Sequence, residues 1–196
     1  MSEMQSTVAV KRNMTTKTLA YCAMLAALQI VLARFVSIVP TRDMRISIEA
    51  IPLVLAGLFF GPVPGVMVGF AADLIGCITL NPFPYNPIFS IPPMLYGLFG
   101  GLFRHWVSQK PGFLRILVSY LPPVILGSIL WQSGAIAYVN NSQGAFMESL
   151  MVLLSSRSIQ FAIVGPLEAV ITFFLLKSGI FQGLKIWPLA PKAKNK

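Results

Sequence analysis

Residues 51–76 read IPLVLAGLFFGPVPGVMVGFAADLIG, and this stretch decides the fold of the 196-residue chain. Two apolar runs flank residues 61–65, where glycines and prolines end one helix and start the next. Asp73 is the one ionisable residue in the whole stretch. The pattern predicts a short helix over about residues 48–60 and a longer one over about 63–80, both in apolar surroundings.

The overall composition is that of a membrane protein. Hydrophobic residues make up 56% of the chain and charged residues 11%, with a mean hydropathy of +0.75, whereas soluble domains carry about 25% charged residues. At about 20 residues for each spanning helix, the length allows five or six helices and no soluble domain. Cys22 and Cys77 lie within apolar runs and lack the spacing of a metal site or a disulfide framework.

The same pattern predicts an all-α integral membrane bundle of six transmembrane helices. They cover about residues 16–36, 48–60, 63–80, 88–107, 113–139 and 150–176. Prolines exclude regular helix from the connection after the third helix, and Pro122 and Pro123 predict a kink in the fifth. We expect a disordered cytoplasmic leader (1–15), a membrane domain (16–180) and a basic cytoplasmic tail (181–196).

Positive charge is distributed unevenly along the bundle. With the N-terminus inside, all but four of the 15 Lys and Arg residues fall on the inner side, which predicts an N-in, C-in orientation. This distribution explains the net charge of +9 without nucleic acid as a partner. The four exceptions are Arg34, Arg42, Arg45 and Arg157. Because ionisable groups at such places usually mark a substrate path or site, they indicate a small anionic ligand taken from outside.

Two outer connections contain residues suited to binding. Arg42 and Arg45, with Arg34 behind them, offer planar donor forks that fit carboxylates. Alternatively, the two loop arginines pair with neighbouring acids in a solvated loop. In the second connection, Phe83 and Tyr85 stand among prolines. They predict a flat, preorganised wall for a ring-shaped ligand, or a rigid cap over the bundle.

Further candidates lie within the helices. Trp131 and Gln132, in the outer half of the fifth helix, are suited to stacking and hydrogen bonding. Asp73 and Glu168 are acids at membrane depth and should face protein rather than lipid. A carboxylate suits a heterocycle that presents an amino group beside a ring N–H. A proton or coupling-ion site competes with this interpretation, and Asp73 can instead join helix ends.

Small residues four apart on three predicted helices allow helices to approach closely in lipid. The pairs are Ala23 with Ala27, Gly65 with Gly69, and Gly97 with Gly101. On the first helix, Ala20 and Ala26 extend the pair into an unusually bare face, where a partner membrane protein could dock.

Catalytic signatures are missing from the sequence. His105 is the single histidine, and no zinc-binding helix, nucleophile elbow or phosphate-binding loop is present. We therefore do not expect an enzyme, hydrolysis of nucleotide by this chain, or a bound metal or cofactor.

The arrangement resembles the substrate-binding S components of energy-coupling factor (ECF) vitamin transporters. The resemblance rests on the Ala-rich first helix (18–27) and on the runs 51–62 and 65–76, and residues 45–52 look most like the folate-specific branch. It implies a multi-pass protein of the prokaryotic plasma membrane whose residues 16–180 bind one vitamin near the outer face. It also implies a transmembrane coupling subunit and two cytoplasmic ATPases as partners, docked on the face that holds the first-helix alanines. The implied docking residues are Ala20, Ala23 and Ala27.

Folate suits the residues because it joins a flat pterin ring to a benzoylglutamate that carries two carboxylates. Aromatic side chains would hold the ring, amides or an acid its polar edge, and arginines the carboxylates. The candidate ligand-binding residues are Arg34, Arg42, Arg45, Phe83, Tyr85, Asn86, Trp131, Gln132 and Arg157. The alternatives are an S component for pantothenate or a thiamin precursor, and a stand-alone secondary transporter, which would be expected to show internal duplication.

Overall fold

Helices make up nearly all of the part of the chain that the structure describes. The computed structural model describes residues 16–41, 44–80, 85–109, 112–139, 146–178 and 181, and for residues 38–41, 44, 45 and 80 it describes the backbone alone. The predicted leader and most of the predicted tail therefore lie outside the described residues. Phe181 is the exception, and its ring packs on Phe59 with centroids 4.7 Å apart.

The elements in chain order are α1 (Thr16–Phe35), β1 (Ile38–Thr41), β2 (Met44–Ile46), α2 (Ala50–Phe60), α3 (Pro62–Leu80), α4 (Ile91–Gln109), α5 (Phe113–Pro123), α6 (Gln132–Val139) and α7 (Phe146–Lys177). A 3₁₀ turn (Pro87–Ser90) precedes α4, and a π-helical segment (Val124–Trp131) joins α5 to α6.

The predicted helical bundle is confirmed. Its predicted fifth helix consists of α5, the π-helical segment and α6, which follow one another without a break and are together called the fifth rod. Four helical stretches in the described part of the chain are long and apolar enough to cross a membrane: Thr16–Phe35, Pro62–Thr79, Phe113–Val139 and Phe146–Lys177. The apolar helix α2 is shorter, at 11 residues. The chain is therefore a membrane protein built of helices of unequal length.

A small antiparallel hairpin between α1 and α2 departs from the all-α prediction. Ile38 pairs with Ile46 and Thr41 with Met44, with an irregular register between them. From the sequence, a charged outer connection holding Arg42 and Arg45 is expected at this place. The hairpin forms there because β-branched residues on both sides of the turn favour extended backbone.

The double proline in the fifth rod changes the helix type. Pro122 and Pro123 end α5, and the helix continues in π form from Val124 to Trp131. Prolines lack the N–H groups that would bond to carbonyls one turn earlier. The predicted kink is thus a stretch of wider helix, which brings Ser128 within 3.0 Å of the Tyr96 hydroxyl on α4.

Glycines bring α2, α3 and α4 into backbone contact. A methyl group added to Gly65 would collide with the Gly97 carbonyl, and one added to Gly69 would lie 2.5 Å from the Pro93 carbonyl oxygen. Packing and close backbone approach drive helix association in lipid. The predicted contacts of these glycines are therefore confirmed, and Val54 and Ala56 on the central helix α2 are completely buried.

The turn from α2 to α3 also requires a glycine. Gly61 has φ of 106°, in the region that favours glycine. Its N–H donates to the Gly57 carbonyl over 2.8 Å, and its own carbonyl accepts from Gly65 N–H over 3.0 Å. Arg104 covers this turn and donates to the Phe59 carbonyl over 3.3 Å. One residue thus reverses the chain direction between the two helices.

The alanine face of α1 is only partly as predicted. Ala20, Ala23 and Ala27 are exposed on the surface of the chain. Ala26, which the sequence analysis placed on the same face, is buried beside Cys22 and Leu25. The exposed alanines do not pack within the described chain, so this face stays available to another molecule.

Replacing Gly97 with alanine is expected to lower thermal stability in detergent, because the methyl group meets the Gly65 backbone. Overpacking of this kind costs about 1–3 kcal/mol. The matched control is Gly134→Ala, where an added methyl group meets nothing within 4 Å. Both variants gain the same helix propensity, so equal unfolding temperatures in a thermal shift assay would contradict the packing argument.

Candidate functional site

A large cavity lies at one end of the bundle, where α1 and α3 end and α2 and α4 begin. Its volume is about 880 Å³, within the range of about 300–1,000 Å³ that holds small-molecule ligands. The segment 85–87 and residues of the fifth rod and α7 complete its wall. This is the end of the bundle that the sequence analysis assigned to the outer side.

The longest contribution to the wall comes from one face of α7. Arg157, Gln160, Phe161, Val164 and Glu168 all line the cavity. Their spacing of three, one, three and four residues is that of a single helix face. This face of α7 therefore presents two polar residues, then two apolar ones, then an acid to the cavity.

Two arginines reach the described part of the cavity wall. Arg34, near the end of α1, directs a guanidinium N–H to the Cys77 sulfur over 3.6 Å. Arg157, on α7, is 8% exposed. The structure thus brings together two of the four arginines that the sequence analysis singled out. Arg42 lies outside the described residues, and for Arg45 the backbone alone is described, within β2.

The predicted aromatic and amide residues divide into two groups. Tyr85, Asn86 and Gln132 line the cavity. Trp131 is 44% exposed and lies outside the wall, because its indole N–H donates to the Ile88 carbonyl over 2.9 Å. Phe83 lies outside the described residues.

A chain of hydrogen bonds fixes Tyr85 against α3. Its hydroxyl lies 2.5 Å from Ser90 Oγ, and Ser90 Oγ donates to Asp73 Oδ2 over 2.6 Å. The other oxygen of Asp73 accepts from the Cys77 thiol over 3.8 Å. Asp73 therefore joins α3 to the turn before α4, which agrees with the interpretation that it joins helix ends.

Glu168 performs a similar task between α7 and α2. The carboxylate is 1% exposed, and its Oε1 accepts from the backbone N–H of Ala50 over 3.1 Å. Ala50 is the first residue of α2, where a negative group is favoured by the helix dipole. Oε2 is equally buried and has no hydrogen-bond partner among the residues that the structure describes.

Sequence reasoning missed several lining residues. Gln29 and Gln160 are each 6% exposed, and Tyr96 and Phe161 supply aromatic surface. A signal for Gln160 was present, since it follows Arg157 by three residues in a strongly apolar helix. The aromatic residues gave no such signal, because a ring in an apolar helix is ordinary core.

The described ranges contain no evident metal-binding site. No group of three or more His, Cys, Asp or Glu residues is placed to hold a metal ion there.

Comparison with known proteins was made by family, sequence and structure. The family profile described as "ECF transporter, substrate-specific component" matches residues 17–176. The protein named Folate transporter FolT of Clostridium novyi (strain NT) is 25% identical over 153 residues, or 78% of this chain and 84% of the relative. Folate transporter FolT of Leuconostoc mesenteroides subsp. mesenteroides is 24% identical over 172 residues, or 87% and 90%.

Two solved structures are also similar. FolT bound with folic acid has a TM-score of 0.66 and 24% identity, covering 90% of this chain and 98% of that one. The S-component for biotin from an ECF-type ABC transporter has a TM-score of 0.52 and 20% identity, covering 89% and 98%. At these identities the likeness shows the fold, which is shared by proteins with different ligands.

The position of Cys77 in the cavity wall predicts selective chemical labelling. Methyl methanethiosulfonate should modify Cys77 and spare Cys22, because Cys22 is 6% exposed within the core while Cys77 is only partly buried. Intact-mass spectrometry of the detergent-solubilised chain would show one adduct. Cys77→Ser should abolish the adduct and Cys22→Ser should retain it, whereas equal labelling of both thiols would contradict the described cavity.

Proposed function

The chain belongs to the substrate-specific components of ECF transporters, and we propose that it binds folate with high affinity for ATP-driven uptake. Membership of this family makes it a subunit of a transporter rather than an enzyme. The folate-specific branch expected from the sequence agrees with the names of the two relatives.

The single observation that carries the ligand assignment is the mixed lining of the cavity. Arg34 and Arg157 supply positive charge, and Tyr85, Phe89 and Phe161 supply rings, in a space of about 880 Å³. Folate needs both, since its glutamate carries two carboxylates and its pterin is a flat heterocycle. Arginine forks bind carboxylates in two-point geometry, and aromatic pairs add about 0.5–1.5 kcal/mol beyond the burial of their surface.

The amides complete the proposed site. Asn86 and Gln132 line the cavity and can hydrogen-bond to the polar edges of the ligand. Arg42, Arg45 and Phe83 remain predicted ligand residues of the adjoining outer connections. Trp131 is held against the Ile88 carbonyl, so we propose that it supports the wall from behind.

The proposed partners are a transmembrane coupling subunit and two cytoplasmic ATPases in the prokaryotic plasma membrane. Ala20, Ala23 and Ala27 are exposed on α1 and give a second helix close access to its backbone. We place both termini in the cytoplasm, because the side opposite the cavity carries most of the Lys and Arg residues.

Calorimetric titration of the detergent-purified chain with folate, pantothenate, thiamin, riboflavin and biotin tests the ligand. We expect nanomolar binding of folate alone. Replacing Arg157 with alanine should weaken folate binding by about 10- to 100-fold, because a hydrogen bond to a charged group contributes about 1.5–3 kcal/mol.

The matched control for Arg157→Ala is Arg115→Ala. Arg115 lies at the other end of the bundle, where it donates to the Trp106 carbonyl over 2.7 Å. Its loss should leave folate affinity unchanged. Tight binding of another vitamin by the wild-type chain would contradict the ligand assignment while leaving the family intact.

Tryptophan at Ala23 or Ala27 should abolish uptake of labelled folate by the assembled complex and leave folate binding by the isolated chain unchanged. The bulky ring would block close approach of the partner helix. Ile163→Trp is the control, since Ile163 is 62% exposed on α7, away from the alanine face. Loss of folate binding in Ala23→Trp or Ala27→Trp would instead show that this face packs within the chain.

A further inference from the structure

Three acidic side chains line the described part of the cavity, and they differ in how their oxygens are used. Both oxygens of Asp73 accept hydrogen bonds, one from Ser90 and one from Cys77. Glu49 lies beside the first residue of α2 and also interacts within the protein. Glu168 differs, because one of its oxygens is bonded and the other is not.

The bonded oxygen of Glu168 fixes the position of the unbonded one. The Ala50 N–H holds Oε1 at 3.1 Å at the N-terminus of α2, so the carboxylate cannot turn away without losing that bond. Oε2 is shielded from solvent and lacks a partner in the described part of the protein. A buried acceptor without a partner destabilises the protein, and more strongly when it is charged. The folded chain by itself thus leaves this one acceptor unsatisfied.

A ligand can remove this cost if it presents a hydrogen-bond donor. Glu168 lines the cavity, so a donor on a ligand that reaches this part of the space meets its carboxylate. A carboxylate oxygen has two lone pairs, and Oε1 can accept a second bond beside that from Ala50. The pair of oxygens therefore matches two neighbouring donors on one edge of a flat ring.

We propose that Glu168 is a specificity-determining residue, whose carboxylate accepts hydrogen bonds from the amino group and the adjacent ring N–H of a pterin-type heterocycle. This inference rests on the proposed function, and it assigns the ring to the part of the cavity beside the start of α2. Arg157 precedes Glu168 by 11 residues on the same face of α7, which at 1.5 Å per residue places it about 16 Å away. Glu168 and Arg157 thus lie far apart. This separation suits an elongated ligand that has hydrogen-bond donors at one end and carboxylates at the other.

The test combines one variant with one altered ligand. In Glu168→Gln, the amide oxygen keeps the bond to Ala50, and the NH₂ group faces the donors of the ring. Folate affinity should fall by about 100-fold or more, because a site built around a polar contact strongly rejects a mismatched partner. The analogue 2-desamino-2-methylfolic acid should bind the wild-type chain about 100-fold more weakly than folate, and Glu168→Gln should add little to that loss.

The control variant is Thr172→Val, one turn further along α7. Thr172 is completely buried and lies 2.7 Å from the Tyr120 hydroxyl, away from the cavity wall. It should change thermal stability without changing the ratio of affinities for folate and the analogue. If the loss of affinity caused by Glu168→Gln and the loss caused by the analogue add in full when the two are combined, the inference is overturned.

The outcome with the wild-type chain separates this inference from the proposed function. Folate binding with equal affinity for the analogue overturns the role of Glu168 alone, even where Glu168→Gln does not fold. Absence of folate binding by the folded wild-type chain overturns the proposed function and the inference together.

Discussion

The close approach of three helix backbones is the constraint on which the structure depends. In lipid, apolar side chains gain little by leaving their surroundings, so helices are held by packing and backbone proximity. Glycines of α2, α3 and α4 provide this contact, and α2 is buried along its length as a result. Because α2 is short and central, the longer helices around it enclose a space beyond its first residue. The cavity is the direct consequence of that difference in length.

Polar groups at membrane depth join the helices that surround this space. Asp73 joins α3 to the turn before α4, and Glu168 joins α7 to the start of α2. Each bond ties together segments distant in sequence, and each lies at the cavity. The groups that join the helices are therefore also groups that line the cavity. In the proposed site, the same carboxylates stabilise the fold and contribute to recognition, and Oε2 of Glu168 is the oxygen that the fold itself does not use.

The sequence predicted the helices well and the site only in part. Hydropathy and prolines located the six helical rods, and charge in apolar segments pointed to Arg34 and Arg157, which line the cavity. The hairpin was missed because charged residues hid its extended pattern. Trp131 and Gln132 were both predicted to bind the ligand, although the side chains of adjacent helical residues point about 100° apart. A π-helical segment changes the direction of these side chains further. The spacing of Arg157 and Gln160 marks a polar face of α7, but packing decides that this face meets the cavity.

The length of α2 has a consequence for how the protein enters the bilayer. Eleven residues give about 16 Å of helix, against a hydrocarbon core of about 30 Å. Such a segment cannot hold a transmembrane position alone, since the polar backbone at its free end would meet lipid. Gly61 joins it directly to α3, so we expect the two to insert together as one helical hairpin. The membrane position of α2 would then depend on α3 as well as on its own apolar sequence, which by itself is too short to span the bilayer.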